Sequence, residues 1–289
     1  MSSKISLKTK YLILIILFII TVFVWRFIFQ NARDNILQVS FLNVGQGDAI
    51  FIEAPNGRQV LIDGGPDASV LEKLGELMPF YDRSIDLIIL THPHSDHLAG
   101  LLSVLEYFNI GHILINNTKE DTAIYNKWQE LINQKNIPVT IAQTDQEVIL
   151  QNIDKPNEIS LKIFSNYSND TNNSSIVTQL NYLESEFLLT GDIEKETENI
   201  LLQNNFDLES DILKIAHHGS KSSSQKNFLE AINPDIVIIS VGQNNRYNHP
   251  HKSVLERLKN LDIYRTDLDG TINILTDGFE FDIKTERYE

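Results

Sequence analysis

The sequence predicts a mixed α/β fold in which two sheets pack together with helices outside them, an αββα sandwich, preceded by one N-terminal transmembrane helix. Three observations carry this. Short β-type runs alternate with helical spacings in two successive halves, each reading strands first and then helix. Histidines and aspartates gather where apolar runs end, the place where layered folds build their sites. Residues 11 to 29 form a separate apolar segment.

That segment comes first. Lys4, Lys8 and Lys10 precede an apolar run from Tyr11 to Trp25 that continues past Arg26 to Phe29, 19 residues in all. As a helix this is roughly 28 Å, enough for a bilayer core. A removable signal peptide would offer small residues at a cleavage site, whereas Phe27, Ile28 and Phe29 are bulky. The expectation is an uncleaved anchor, and Arg26 can snorkel to the headgroups. Lysines before the span put the N-terminus in the cytoplasm. The chain thus divides into a basic tail and signal anchor, 1–33, and a body, 34–289, expected outside the cell membrane on a single pass.

Charge and cysteine content narrow the chemistry. Residues 1–33 hold five of the 24 basic residues and none of the 39 acidic ones, leaving the body at 19 against 39, a net of −20. Such a body repels polyanions, and no basic run follows Arg33 to give non-specific nucleic-acid binding. There is no cysteine, so disulfides and thiolate metal sites are excluded and any cation must be held by histidine and carboxylate.

In the body, Ile36–Val44, Ala49–Glu53 and Gln59–Ile62 read as strands, the last two joined by the turn Pro55-Asn56-Gly57. Ser69–Met78 has helical spacing, Ile85–Leu90 is a buried strand, and His97–Phe108 and Thr122–Gln134 are helical again. Strands follow at Val139–Ala142, Glu147–Leu150 and Ile159–Phe164. The polar stretch Ser165–Ser175 reads as a loop without core content. Ile176–Leu183 and Phe187–Thr190 make a second hairpin, Glu194–Asn204 a helix, Ile212–Ala216 a strand, Asn227–Ile232 a helix and Ile236–Ser240 a strand.

The chemistry concentrates in His92-Pro93-His94-Ser95-Asp96-His97, three imidazoles and a carboxylate directly after a buried strand. Alternate residues on an extended turn project alike, so His92 and His94 can grip one cation while Asp96 and His97 face a second. Nitrogen with hard oxygen suits zinc, with manganese or iron as alternatives. An exposed loop of surface histidines is the bland alternative, but seven of the eight histidines fall in three short clusters, which argues against it. Thr190-Gly191-Asp192 presents a carboxylate suited to bridging cations, and His217-His218 ends another strand, one ring toward metal and its neighbour elsewhere. Asp63, before Gly64-Gly65, is either an Asx-type turn residue or an outer partner orienting a ligand histidine. Val44-Gly45-Gln46-Gly47-Asp48 lacks the Lys-Ser/Thr of a nucleotide loop, so its glycines are read as a tight hairpin turn with Asp48 capping or bonding locally. His112 and His251 read as structural and surface residues.

In order, Val39–Ala49 (VSFLNVGQGDA), Leu61–Gly65 (LIDGG), Leu90–His97 (LTHPHSDH), Asn173–Ile176 (NSSI), Leu189–Asp192 (LTGD), Leu213–Ser220 (LKIAHHGS), Ser240–His251 (SVGQNNRYNHPH) and Tyr264–Gly270 (YRTDLDG) resemble the metallo-β-lactamase superfamily. The resemblance is narrower still to the metallo-hydrolase domain at the C-terminus of ComEC-type competence proteins, and it covers nearly all of residues 36–289. It implies a metallo-β-lactamase-like sandwich with His92, His94, Asp96, His97, Asp192 and His218 as metal ligands, His218 being preferred over His217 on the resemblance alone. Where related enzymes supply a third histidine to the first cation, this chain has none between His112 and His217, and offers Asn173, Ser174 and Ser175 instead. The implied centre is asymmetric: a firm site from Asp96, His97, Asp192 and one of the 217/218 pair, and a weaker one from His92, His94 and Asp192. Such a cation, Zn or Mn, lowers the pKa of bound water so that no protein nucleophile is needed. Asp96 serves through the metal, and His217 and His249 are candidates for binding the developing anion or protonating the leaving group. The expected function is a membrane-anchored metal-dependent phosphodiesterase or nuclease. Its phosphoester substrate would be DNA or a cell-wall polymer. A cell-wall phosphoesterase or a lactamase- or lactonase-type hydrolase on the same fold, and a non-catalytic binding domain, are the alternatives.

Overall fold

The computed structural model describes residues 6–31, 35–152, 158–166 and 168–287, without the side chains of 27–31. Lys4, the rest of the basic tail before Ser6 and the 33/34 boundary lie outside the described residues. Helix α1, Leu7–Asn31, contains a 20-residue stretch, Leu7–Arg26, that is long and apolar enough to cross a membrane, and its described side chains are exposed.

The body is built on two sheets. In chain order the first takes β1 (Leu37–Phe41), β2 (Ile50–Glu53), β3 (Gln59–Ile62), β4 (Ser84–Leu90), β5 (Asn109–Ile115) and β6 (Val139–Ile141), with helices α2 (Ser69–Leu77), α3 (Ser95–Tyr107) and α4 (Ala123–Lys135) between them. The second takes β7 (Gln146–Gln151), β8 (Ile159–Phe164), β9 (Val177–Tyr182), β10 (Ser185–Leu189), β11 (Ile212–Lys214), β12 (Ile236–Ile239) and β13 (Asp262–Arg265), interleaved with α5 (Lys195–Gln203), α6 (Lys226–Ile232) and α7 (Lys252–Leu258). After the single turn α8 (Thr266–Asp269) the chain crosses back, and β14 (Ile272–Thr276) and β15 (Phe281–Thr285) extend the first sheet. The orders are β15-β14-β1-β2-β3-β4-β5-β6 and β13-β12-β11-β10-β9-β8-β7. The predicted αββα layering is present.

Alternation explains the layers. On β1, Leu37, Val39 and Phe41 face the central core, which the other sheet shares through Leu161, Leu180 and Phe187 among others. β4 is buried on both faces, giving Leu87 and Ile89 to that core and Ile85, Ile88 and Leu90 to the layer under α2, α3 and α4, where Trp128 is fully buried. A third cluster around Phe228 and Ile232 seats α5, α6 and α7 on the second sheet.

Strand direction positions the site. Gln38 pairs with Glu53, and Glu53 with Gln59, so β1 and β3 start together; Phe41, Ile50 and Ile62 meet at the other end. From β3 to β6, and from β10 to β13, the strands are parallel. Their C-terminal ends form one edge, at which Asp48, Asp63, His92–His97, Asp192, His217–His218 and His249 all emerge. The chain enters the body at the opposite end, where the Tyr182 hydroxyl donates to the Asn35 carbonyl at 2.8 Å.

Glu198 ties the outer helices to this edge. Fully buried on α5, it accepts the backbone N–H of Ser224 and, at 3.0 Å, that of Gln225, which caps α6. Burial pushes its carboxyl up from 4.5 to about 7, against these two amides and nearby Arg257. A raised carboxyl favours the protonated folded state, so its contribution is full below pH 4.5 and is lost as pH rises toward 7, by roughly 3 kcal/mol at about 1.4 kcal/mol per unit. Glu198→Gln is therefore expected to gain stability relative to the wild type between pH 4.5 and 7.5. Denaturant titrations at the two pH values measure this, and a difference that does not change with pH would show that the Glu198 carboxyl titrates alike in the folded and unfolded chains.

Candidate metal centre

Helix α3 starts at Ser95, with His94 in extended backbone just before it, so the six-residue motif wraps from a strand end into a first helical turn. The two sides of the motif are held differently. His92 is buried, its Nδ1 lying 3.1 Å from Thr91 Oγ1 and 3.2 Å from Ser175 Oγ, and its Nε2 3.1 Å from His94 Nδ1. His97, also buried, places Nδ1 2.7 Å from Asp63 Oδ2 and Nε2 3.2 Å from Asp192 Oδ2. Asp63 additionally accepts from the Thr91 backbone N–H and hydroxyl. It thus acts as an outer partner that fixes the His97 ring, the arrangement by which metal-ligating histidines are usually oriented.

Asp192 lies at the middle. Its Oδ2 is 3.2 Å from His97 Nε2, 3.4 Å from His218 Nε2 and 4.0 Å from the Nε2 atoms of both His92 and His217. His218 directs Nδ1 to the Ser240 carbonyl at 2.8 Å, and its Nε2 is 3.6 Å from Asp96 Oδ2. Among the described residues, four groups bring three potential ligand atoms within 4.8 Å of one another: His92, His97 and Asp192; Asp96, His97 and His218; Asp48, Asp63 and His97; Asp48, Asp192 and His218. His94 joins none of these clusters and touches the centre only through His92.

Three sequence expectations need correction. The histidine pair is not on a strand: β11 stops at Lys214, and His217 and His218 sit on a 3-10 turn with left-handed φ of 49° and 53°. It is this turn, not strand alternation, that sends His218 inward and leaves His217 at the cleft. The end of the Ser165–Ser175 loop is buried, because Asn173 Oδ1 accepts the Glu194 backbone N–H at 3.1 Å and Ser174 donates to the Ser168 and Asp170 carbonyls. Asn173 thereby secures the start of α5 and is turned away from the histidines; Ser175 alone of the three reaches His92. Asp48 does not bond locally. Its Oδ2 is 2.6 Å from the ammonium of Lys214, both groups being buried, and Oδ1 is 3.4 Å from His218 Nδ1. Gly47, at φ 150°, lets the loop lie against the first turn of α3, where the Asp48 N–H donates to the Asp96 carbonyl at 3.3 Å; a Cβ at Gly47 would lie 2.1 Å from that oxygen. Lys214 was a visible signal, a lone cation inside the apolar run Ile212–Ala216, and a buried lysine requires a carboxylate.

The electrostatics favour a cation. Burial opposes ionisation of His97 and His218, yet Asp192 and Asp63 raise His97 well above its ordinary value, and Asp192 and Asp48 bring His218 up to about 10. The carboxylates move the other way: against burial, His218 and His97 hold Asp192 well below the usual range, and the same two imidazoles lower Asp96. Protons here compensate an excess of buried negative charge that a divalent cation would compensate in their place. Asp192 Oδ1 and His218 Nε2 are buried without hydrogen-bond partners among the described residues. An imidazole and carboxylate set of this kind fits zinc or another divalent transition metal.

The centre opens into a polar cleft of about 310 Å³ lined by Gln46, His94, Asp96, His217, Tyr247 and His249 among others. His217 Nδ1 is 3.1 Å from Glu194 Oε1, which also accepts the Ser222 hydroxyl at 2.7 Å, so Nε2 is turned to the cleft. His249 packs edge-on to His217 at 5.8 Å, and burial with the charges of His217 and His218 lowers it to about 4. His112 lies elsewhere, 2.8 Å from Thr140 Oγ1, and His251 caps α7 by accepting the Ser253 N–H.

Residues 42–243 match the sequence family described as the metallo-beta-lactamase superfamily. Over 257 residues the chain is 31% identical to ComE operon protein 3 of Bacillus subtilis, covering 81% of this chain and 32% of that protein. Over 250 residues it is 27% identical to competence protein ComA of Neisseria gonorrhoeae, covering 84% and 33%. The chain thus spans about a third of the length of these relatives. Among solved structures, the metallo-beta-lactamase fold protein YhfI from Bacillus subtilis aligns with a TM-score of 0.55 at 14% identity, over 80% of this chain and 96% of that one. Igni18, a metallo hydrolase from Ignicoccus hospitalis, aligns at 0.51 and 16% identity, over 85% and 100%. With its two sheets meeting at one edge lined by histidine and aspartate, the chain belongs to the metallo-beta-lactamase superfamily.

Proposed function

We propose that this chain is a metal-dependent phosphodiesterase, with nuclease action as its leading form, held to the cell membrane by α1 with its body on the outer side. The observation that carries the chemical part is the single oxygen of Asp192 within 4.0 Å of four imidazoles. His92, His94, Asp96, His97, Asp192 and His218 would hold the metal, zinc or manganese. A cation held there supplies an activated water and offsets charge gathering on the attacked phosphorus.

The chain's own groups do the rest. Asp63 and the Ser240 carbonyl fix the rings of His97 and His218 by accepting from Nδ1. His217, steadied by Glu194, presents Nε2 to the cleft, where it can hold a phosphoryl oxygen or pass a proton to the departing one. His249, held low, supports His217 as a neutral neighbour and is the weaker candidate for an acid. The relative named competence protein ComA, with the resemblance to competence proteins in the sequence motifs, supports a nucleic-acid substrate, whereas the net charge of the body weighs against tight binding of any polyanion.

The assay is hydrolysis of single-stranded DNA, of bis-p-nitrophenyl phosphate and of a lactam by the purified protein with manganese or zinc; cleavage of the lactam alone would sink the phosphodiesterase reading. In the same assay His217→Ala is expected to lose roughly 10²- to 10⁴-fold in turnover on DNA. It should lose much less on the p-nitrophenyl ester, whose leaving group needs little protonation, with metal content unchanged. Equal losses on both substrates would remove the proton-transfer role.

Orientation is tested separately. Protease added to intact spheroplasts should digest the body, and full protection in sealed spheroplasts would reverse the assigned topology.

A further inference from the structure

A second cleft, of about 350 Å³, adjoins the catalytic one and shares Gln46, Ser95, Asp96 and Tyr247 with it; its outer wall is Arg246. Arg246, Tyr247 and His249 form a stack along the common wall. The guanidinium carbon lies 4.8 Å from the Tyr247 ring centroid, and Nη2 donates to the Tyr247 hydroxyl at 2.6 Å. The Tyr247 ring stacks on His249 at 5.7 Å and 25°, and His249 in turn meets His217. Tyr247 is 48% exposed, a large aromatic surface left at the mouth of a catalytic cleft.

The loop that carries it is pinned. Asn245 Oδ1 accepts the backbone N–H of Tyr247 at 3.2 Å and of His249 at 2.9 Å, while its amide donates to the carbonyls of Gly242 and His249. Gly242 donates to Gln46 Oε1 at 3.1 Å, and the His251 N–H to the Gly219 carbonyl at 2.9 Å. The ring is therefore oriented before any substrate arrives, and little conformational freedom is lost on binding.

We propose that this second cleft is a nucleobase subsite. A base next to the scissile phosphate stacks on the Arg246 guanidinium plane, which the Tyr247 ring backs, and the N–H edge of the same guanidinium meets the following phosphate. The inference rests on the phosphodiesterase reading and adds the feature that selects the substrate: a flat π-face beside a phosphodiester, which nucleic acid has and a sugar- or glycerol-phosphate polymer lacks. It also gives a negatively charged body one local cation where a polyanion must enter.

The test uses the full chain in detergent, loaded with manganese. Its substrates are a single-stranded deoxyoligonucleotide and an abasic oligonucleotide of the same length. The wild type should prefer the base-bearing strand in kcat/KM by roughly 5- to 100-fold, the range of one base–aromatic stack. Tyr247→Leu should bring that ratio close to one, chiefly through KM, and Tyr247→Phe should restore most of it. Arg246→Ala should raise KM on both strands. Absence of preference in the wild type, or an equal loss on both strands in Tyr247→Leu, would overturn the subsite. If neither strand is cut with any divalent metal, the phosphodiesterase reading fails by itself. Fluorescence anisotropy of the same two oligonucleotides still decides the subsite: tighter binding of the base-bearing strand, lost in Tyr247→Leu, supports it, and equal binding overturns it.

Discussion

Asp192→Ala is expected to bring hydrolysis to background and to reduce the metal retained after dialysis. Among the described residues, every cluster of ligand atoms either includes Asp192 or shares with it an imidazole that its Oδ2 meets, and that one oxygen lies within 4.0 Å of four imidazoles. The loss of affinity should exceed the roughly 10- to 100-fold that follows removal of an outer hydrogen-bond partner, which is the range expected for Asp63→Ala. Elemental analysis of wild type and both variants, alongside turnover, gives the comparison. The wild type should retain nearer one equivalent than two, because the sequence has no histidine between His112 and His217 to complete the His92 side, and Ser175 meets His92 at Nδ1, away from the Nε2 that faces Asp192. Undiminished metal in Asp192→Ala would displace Asp192 from the centre.

The second large effect is on stability. Lys214→Met should cost about 3–5 kcal/mol, because it leaves the Asp48 carboxylate buried without its cation. Burial alone would raise the Asp48 carboxyl; Lys214, His218 and His97 together hold it below its usual value of 3.8. A lowered carboxyl contributes stability above its unfolded value, and that contribution is lost as pH falls through the folded one. In the variant burial loses its main opponent, so Asp48 takes up a proton at higher pH than in the wild type, and the deficit should shrink on acidification from neutral pH toward about 4. Lys214→Met combined with Asp48→Asn should recover part of the loss at neutral pH. Urea denaturation of the single and double variants across this range measures both effects, and a neutral Lys214→Met would mean that the pair is solvated in solution.

What could be read from the sequence was local. His92 to His97 declares itself because four candidate ligands fall within six residues and follow a buried strand, and the alternation in β1 and β8, with the continuous apolar run of β4, is strong enough to give both sheets. Asp48 could not be assigned, since Gly47-Asp48 has the composition of a turn and its partner Lys214 lies on the other sheet. The pairing exists only because β1, in one sheet, and β11, in the other, end at the same edge. Asn173 to Ser175 were hidden for a related reason: polar composition signals solvent, but these side chains are buried in hydrogen bonds to the start of α5 and to His92. β13, β14 and β15 escaped because they are short edge or near-edge strands whose patterns are partly polar, and the returning strands β14 and β15 have no local sign of which sheet they join.

The strand polarity has a bearing on what the enzyme feels as well as on what it reaches. The chain enters the body at Asn35, beside the start of β1, while the cleft opens where β1, β3 and β4 end. A strand of the length of β1 rises roughly 17 Å. The Debye length at physiological ionic strength is about 8 Å. On the anchored reading, the anionic potential of the lipid surface has decayed across two such lengths before it arrives at the cleft. A polyanion approaching from outside is therefore repelled or guided by the protein's own charges at that distance, with Arg246 at the entrance and the carboxylates of the body around it, and the composition of the bilayer beneath has little influence on its capture.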